Sequence, residues 1–125
     1  VLDLKELQAP YHPPSANLVD ALRHWANIFP NKVAFYYSDG ETDFEQSLTY
    51  AELDHAARAI AIKILEKHKP GARGLMMYPP CLEFVTGFFG CLYAGCIAVP
   101  AFPPRRSRKG ARILGISQDC RAAFA

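Results

Sequence analysis

Gly74-Leu75-Met76-Met77-Tyr78-Pro79-Pro80-Cys81-Leu82-Glu83-Phe84-Val85-Thr86-Gly87-Phe88-Phe89-Gly90-Cys91-Leu92-Tyr93-Ala94-Gly95-Cys96-Ile97-Ala98-Val99-Pro100 is the stretch that decides the fold class. Residues 74–78 are an apolar run long enough for a buried strand and too short for a helix. Pro79-Pro80 breaks it, and a proline is tolerated where a helix begins because the amide it lacks would have no partner there. Residues 82–93 are apolar nearly all round, which predicts a largely buried helix, with Gly95 where a left-handed cap falls. Thr86, Gly90 and Ala94 recur every fourth residue, a stripe without bulk that predicts tight packing on a sheet. Residues 97–99 give a second buried strand ending at Pro100. Strand, helix and strand in this length fit a right-handed parallel crossover, so the class is α/β.

Toward the N-terminus, Thr49-Tyr50-Ala51-Glu52 is a capping box: the threonine oxygen accepts from the amide of Glu52, and the glutamate reaches back to the cap amide. A helix starts there and ends at Pro70-Gly71. Leu53, Ala57, Ile60, Ile64 and Leu65 form its apolar face, with Glu52, Asp54, Arg58, Lys63 and Lys67 mostly elsewhere. Before it, the β-branched and aromatic run 33–37, the turn Asp39-Gly40 and a short strand at 47–48 predict a hairpin with a long loop. Asn17 caps an earlier helix whose Leu18, Leu22, Trp25 and Phe29 share a face, stopped by Pro30-Asn31. Residues 1–16 are a proline-rich N-terminal arm.

Toward the C-terminus, Ala101-Phe102-Pro103-Pro104 leads into Arg105, Arg106, Ser107, Arg108, Lys109 and Arg112. Ser107 is placed to cap a helix through about Gln118, and a third strand is expected near Ala122. Phe124-Ala125 falls inside that strand start, so the chain reads as cut there. The expected architecture is a β-hairpin plus a partial parallel sheet with a strand-helix-strand crossover.

The chain has 125 residues, enough for one core but not for two full domains. Half the residues are hydrophobic and 21% charged, a balance that excludes a disordered segment. A net charge of +2 excludes a dedicated nucleic-acid binder. Cys81, Cys91, Cys96 and Cys120 form neither a CxxC pair nor a dense disulfide scaffold, and residues 1–10 lack the basic start and apolar core of a signal peptide, so a cytoplasmic setting is expected. No run reaches the about 18 apolar residues of a membrane span.

Chemistry-bearing patterns are sparse. Gly90 and Gly95 have the outer spacing of a P-loop, but Cys96-Ile97 stand where lysine and serine or threonine are required. His12, His24, His55 and His68 are scattered, and no zinc spacing occurs. Asp54 and His55 are adjacent and point to different sides of a helix, so they are read as solvated rather than as an acid and base pair. Cys81, at a helix start, is read as a structural thiol. The basic run is the best electrostatic candidate, through Arg105, Arg106 and Arg108.

Three literal stretches carry a family resemblance. Leu48-Thr49-Tyr50-Ala51-Glu52-Leu53 resembles the first core motif of the adenylate-forming, acyl-activating superfamily, and Leu92-Tyr93-Ala94-Gly95-Cys96-Ile97-Ala98-Val99-Pro100 resembles its second. Met77-Tyr78-Pro79-Pro80-Cys81-Leu82-Glu83-Phe84, with Gly90-Cys91 and Pro100-Ala101-Phe102-Pro103-Pro104-Arg105, resembles the fatty-acyl-AMP ligase branch, over residues from about 18 onward. Cysteine at Cys81 and Cys96 departs from the small or aliphatic residues of the pattern.

The resemblance implies that residues 1–125 are the opening, incomplete part of a larger adenylate-forming N-terminal domain. The intact parent would use ATP and magnesium to turn a fatty acid into an acyl-adenylate, then transfer the acyl group to an acyl carrier protein. The family's phosphate loop, nucleotide contacts and catalytic lysine lie downstream of the second motif. No catalytic, cofactor-binding or metal residue is therefore assigned here, and the 125 residues alone are expected to be inactive. Thr49, Glu52, Pro79, Pro80, Gly90, Gly95 and Pro100 are read as organising the fold. The alternative is a non-catalytic interaction or dimerisation module on the same fold. Uncovered strand edges predict self-association or marginal stability in either case.

Overall fold

A computed structural model describes residues 16–41, 45–104 and 110–125. The order is α1 (Leu18–Ile28), β1 (Val33–Ser38), β2 (Glu45–Thr49), α2 (Tyr50–Leu65), β3 (Arg73–Met77), α3 (Leu82–Tyr93), β4 (Ile97–Ala101) and α4 (Ala111–Cys120). Almost all of the N-terminal arm lies outside the described residues.

Asn17 caps α1 by accepting from the Asp20 amide at 2.9 Å. Only Leu22 of the expected face is fully buried; Leu18 and Phe29 are exposed, and Trp25 stacks on Phe29 with ring centres 5.8 Å apart. β1 and β2 pair antiparallel, Tyr36 opposite Ser47, with an irregularity between Val33 and Phe35. The hairpin hands directly to α2. The Tyr50 and Ala51 amides, orphans of the first helical turn, donate to the Lys32 and Pro30 carbonyls at 3.0 and 3.1 Å.

α2 begins with both halves of the capping box in place. Its buried residues are Leu53, Ala57 and Ala61, whereas Leu65, expected inside, is 45% exposed. The reason is angular: at 3.6 residues per turn, Leu65 lies about 120° round the helix from Leu53, and Ala61 about 80°.

β3 and β4 pair parallel, Leu75 opposite Val99, which is the expected strand-helix-strand unit. The Ile97 amide donates to the Ala72 carbonyl at 2.8 Å. By alternation, Ile97, Val99 and Ala101 address β3, while Ala98 and Pro100 face the free side of β4. A proline in this strand therefore removes no ladder bond. On the other side of β3, the Leu75 amide donates to the Phe124 carbonyl and the Ala123 amide to the Arg73 carbonyl, at 2.8 and 2.7 Å. That parallel bridge at Phe124 stands where a third strand was expected.

The main cluster of buried side chains is Ala61, Met76, Cys91, Ala94 and Cys96, flanked by Ile64, Phe84, Phe88 and Phe124. At Gly90 the small-residue stripe of α3 meets a helix rather than the expected sheet: a β-carbon there would run into Ile60 of α2. Glycine admits whichever ridge is opposite, and spacing alone does not say which. α3 is largely buried, as its composition predicts. Gly87, Gly90 and Cys91 are fully buried and only Glu83 is exposed, with α2, the hairpin and the β3–β4 pair packed against the helix. α4 starts after Gly110, buries no side chain fully, and ends at Arg121 in the left-handed region, φ 51°. Ser107, its expected cap, lies outside the described residues.

Candidate functional site

Parallel strands open their carboxyl ends on one side, where ligands of α/β sheets gather. Here Tyr78, Pro79 and Pro80 continue β3, while Pro100, Ala101 and Phe102 carry β4 to its end. With Phe84 from the first turn of α3, these residues line a cleft of about 370 Å³. Each wall has a local cause. The two prolines cannot prolong the ladder, and their fixed φ turns the chain toward α3. Tyr78 meets Phe84 edge-on, ring centres 6.5 Å apart, and Phe84 stacks on Phe88 at 6.2 Å. Gly87 leaves room for the tyrosine, since a β-carbon there would come within 3.2 Å of the Tyr78 hydroxyl. Phe102, at 74% exposed, forms the open rim.

Among the described residues, no lining residue of this cleft is charged. The described lining can hold an apolar group, and none of it offers a cation to a phosphate. A second cavity of about 320 Å³ lies between β2 and the start of α3, lined by Gln46, Ser47, Leu48, Leu82, Glu83 and Thr86. The Glu83 carboxylate disfavours an anion there, and the Thr86 hydroxyl is spent on the Glu83 carbonyl at 3.0 Å. Among the described residues, no group of three His, Cys, Asp or Glu side chains is placed to hold a metal ion. No helix of the described residues is long and apolar enough to cross a membrane.

Polar contact concentrates instead between α2 and α3. The Tyr93 hydroxyl donates to Asp54 Oδ1 at 2.6 Å, and Arg58 Nε donates to Asp54 Oδ2 at 2.8 Å. Asp54 is thus not the solvated residue that its place beside His55 implied. Partial burial pushes its pKa up, but hydrogen bonds from Arg58 and Tyr93 and the nearby arginine charges outweigh that and hold it below the usual value. Burial, reinforced by the Asp54 hydrogen bond, pushes Tyr93 far up. Asp54 accepts from both Tyr93 and Arg58, one at each oxygen, which is the chemistry of a brace rather than of an acid or base awaiting substrate.

The residues singled out in the sequence separate accordingly. Pro79, Pro80 and Pro100 meet in the cleft. Thr49 and Glu52 stay at the cap of α2: the Thr49 amide donates to Glu52 Oε2 at 2.8 Å, and the Glu52 amide donates to Thr49 Oγ1 at 3.2 Å. Those backbone and side-chain hydrogen bonds with Thr49 lower the Glu52 pKa. Gly90 serves the α2–α3 contact, and Gly95 takes φ 68° just past α3, a conformation that favours glycine. Arg105, Arg106 and Arg108 lie outside the described residues. Cys81 precedes α3 without a side-chain capping bond, and burial pushes the Cys91 thiol up, as suits a core thiol.

The cleft's aromatic walls, Tyr78, Phe84 and Phe102, were not singled out in advance. Their signal was present: each strand of the parallel pair is followed by an aromatic residue beside proline.

The model of the family described as AMP-binding enzyme matches residues 22–125. The chain is 37% identical over 115 residues to the medium-chain-fatty-acid--[acyl-carrier-protein] ligase JamA of Moorena producens, covering 89% of this chain and 19% of that protein. It is 31% identical over 111 residues to the long-chain-fatty-acid--AMP ligase FadD32 of Mycolicibacterium smegmatis, covering 86% and 18%. Among solved structures, it is similar to the fatty acyl-adenylate ligase from L. pneumophila, crystallised with acyl adenylate and pyrophosphate. That likeness has a TM-score of 0.81 and 35% identity over 98% of this chain and 20% of the other. The chain spans about a fifth of the length of these relatives.

Proposed function

The chain belongs to the AMP-binding enzyme family, and from that premise we propose that residues 1–125 are the N-terminal portion of an acyl-adenylate-forming domain. The intact parent is a fatty-acid-activating ligase: it joins a fatty acid to ATP as acyl-adenylate with release of pyrophosphate, then passes the acyl group to an acyl carrier protein. The observation that carries this reading is the match of nearly the whole chain, 98% of it, to a fatty acyl-adenylate ligase at 35% identity. The carrier-protein step draws support from the JamA relative, whose own name specifies that acceptor.

ATP and magnesium belong to the parent. The described residues do not fit them: the cleft has no charged lining, and no acidic group of three is assembled. What this segment contributes is an apolar wall and the α2–α3 platform behind it. By itself, the 125-residue chain is inactive, because it cannot position the phosphates and the attacking carboxylate together. The test is pyrophosphate release from ATP and a fatty acid, measured with the pure chain and with the protein read through past Ala125. Release by the longer protein alone supports the proposal; release by the 125 residues overturns the inactivity, and silence in both overturns the assigned reaction.

A second reading, an interaction module on the same fold, draws on the exposed Met77, Tyr78 and Phe102 at the carboxyl ends of β3 and β4 and on Ile97 at the amino end of β4. Self-association of the isolated chain belongs to both readings. A reading frame that continues into a serine-, threonine- and glycine-rich loop and a late lysine favours the ligase; an immediate stop favours the module.

A further inference from the structure

We draw no further inference here: the strongest candidate, the apolar cleft at the carboxyl ends of β3 and β4 between Tyr78, Phe84 and Phe102, belongs to the site already described, and nothing in the structure shows what covers it.

Discussion

The Tyr93 hydroxyl at the end of α3 donates a 2.6 Å hydrogen bond to the carboxylate of Asp54 on α2, joining residues 39 apart in the chain. Around this bond the two helices meet through small side chains: Ala57, Ala61, Gly90 and Ala94. Ile60 of α2 seats against Gly90, and the directed bond at the end of the interface adds to that fit in holding the register. Tyr93→Phe removes the bond and leaves Asp54 with Arg58. The expected cost is about 1.5 kcal/mol, the low end for a bond to a charged group because Asp54 keeps some exposure. Urea midpoints for Tyr93→Phe, Asp54→Asn and the double variant give the coupling; additive losses would show that the bond sets nothing.

The same pair predicts stability limits at both ends of the pH scale. The folded pKa of Asp54 is lowered from 3.8, so its contribution is complete above that value and fades as pH falls through the lower folded one. The folded pKa of Tyr93 is raised from 10.0, so its contribution is complete below pH 10.0 and is lost as pH rises further. Chemical denaturation across pH should show Asp54→Asn flattening the acid limb and Tyr93→Phe the alkaline limb.

Gly90→Ala reverses the usual preference of a helix interior for alanine. The added methyl gains up to about 1 kcal/mol of propensity, but it meets Ile60, and overpacking costs about 1–3 kcal/mol. Net destabilisation is expected, with partial recovery when Ile60→Ala is combined with it. Stabilisation by the single change would mean that α2 and α3 do not approach as described.

Thr49→Ala removes the side-chain acceptor for the Glu52 amide at the cap of α2. A loss of about 1 kcal/mol is expected from the capping scale, read as a lower thermal midpoint. Thr49→Ser keeps the oxygen and should recover most of it.

Pro100→Ala places an amide on the free side of β4 without disturbing the bonds to β3. The expected result is stronger association with concentration in sedimentation velocity, because an edge proline blunts strand addition. Unchanged sedimentation would show that this side does not pair.

Local chemistry determined much of this protein in the sequence itself. The Thr49–Glu52 capping box, the Asn17 cap and the strand, helix and strand around Pro79-Pro80 and Gly95 rely on neighbours within a few residues, so the α/β class and the family likeness were legible. Ser107, expected to cap a helix, and the basic residues 105–109 lie outside the described residues, and the cap position of α4 is Gly110.

The tertiary structure alone decided what meets what. Asp54 faces Tyr93 because α3 crosses α2, and Leu65, about 120° round the helix from Leu53, lies outside the face that the described elements cover. Gly90 receives Ile60 rather than a sheet for the same reason: a bulk-free stripe does not specify its partner. The cleft, too, exists only once β3 and β4 lie parallel and bring Pro79-Pro80 beside Pro100. Periodicity states which side of an element is apolar, but contacts between residues far apart depend on the angle at which elements pack, and no single segment encodes that angle.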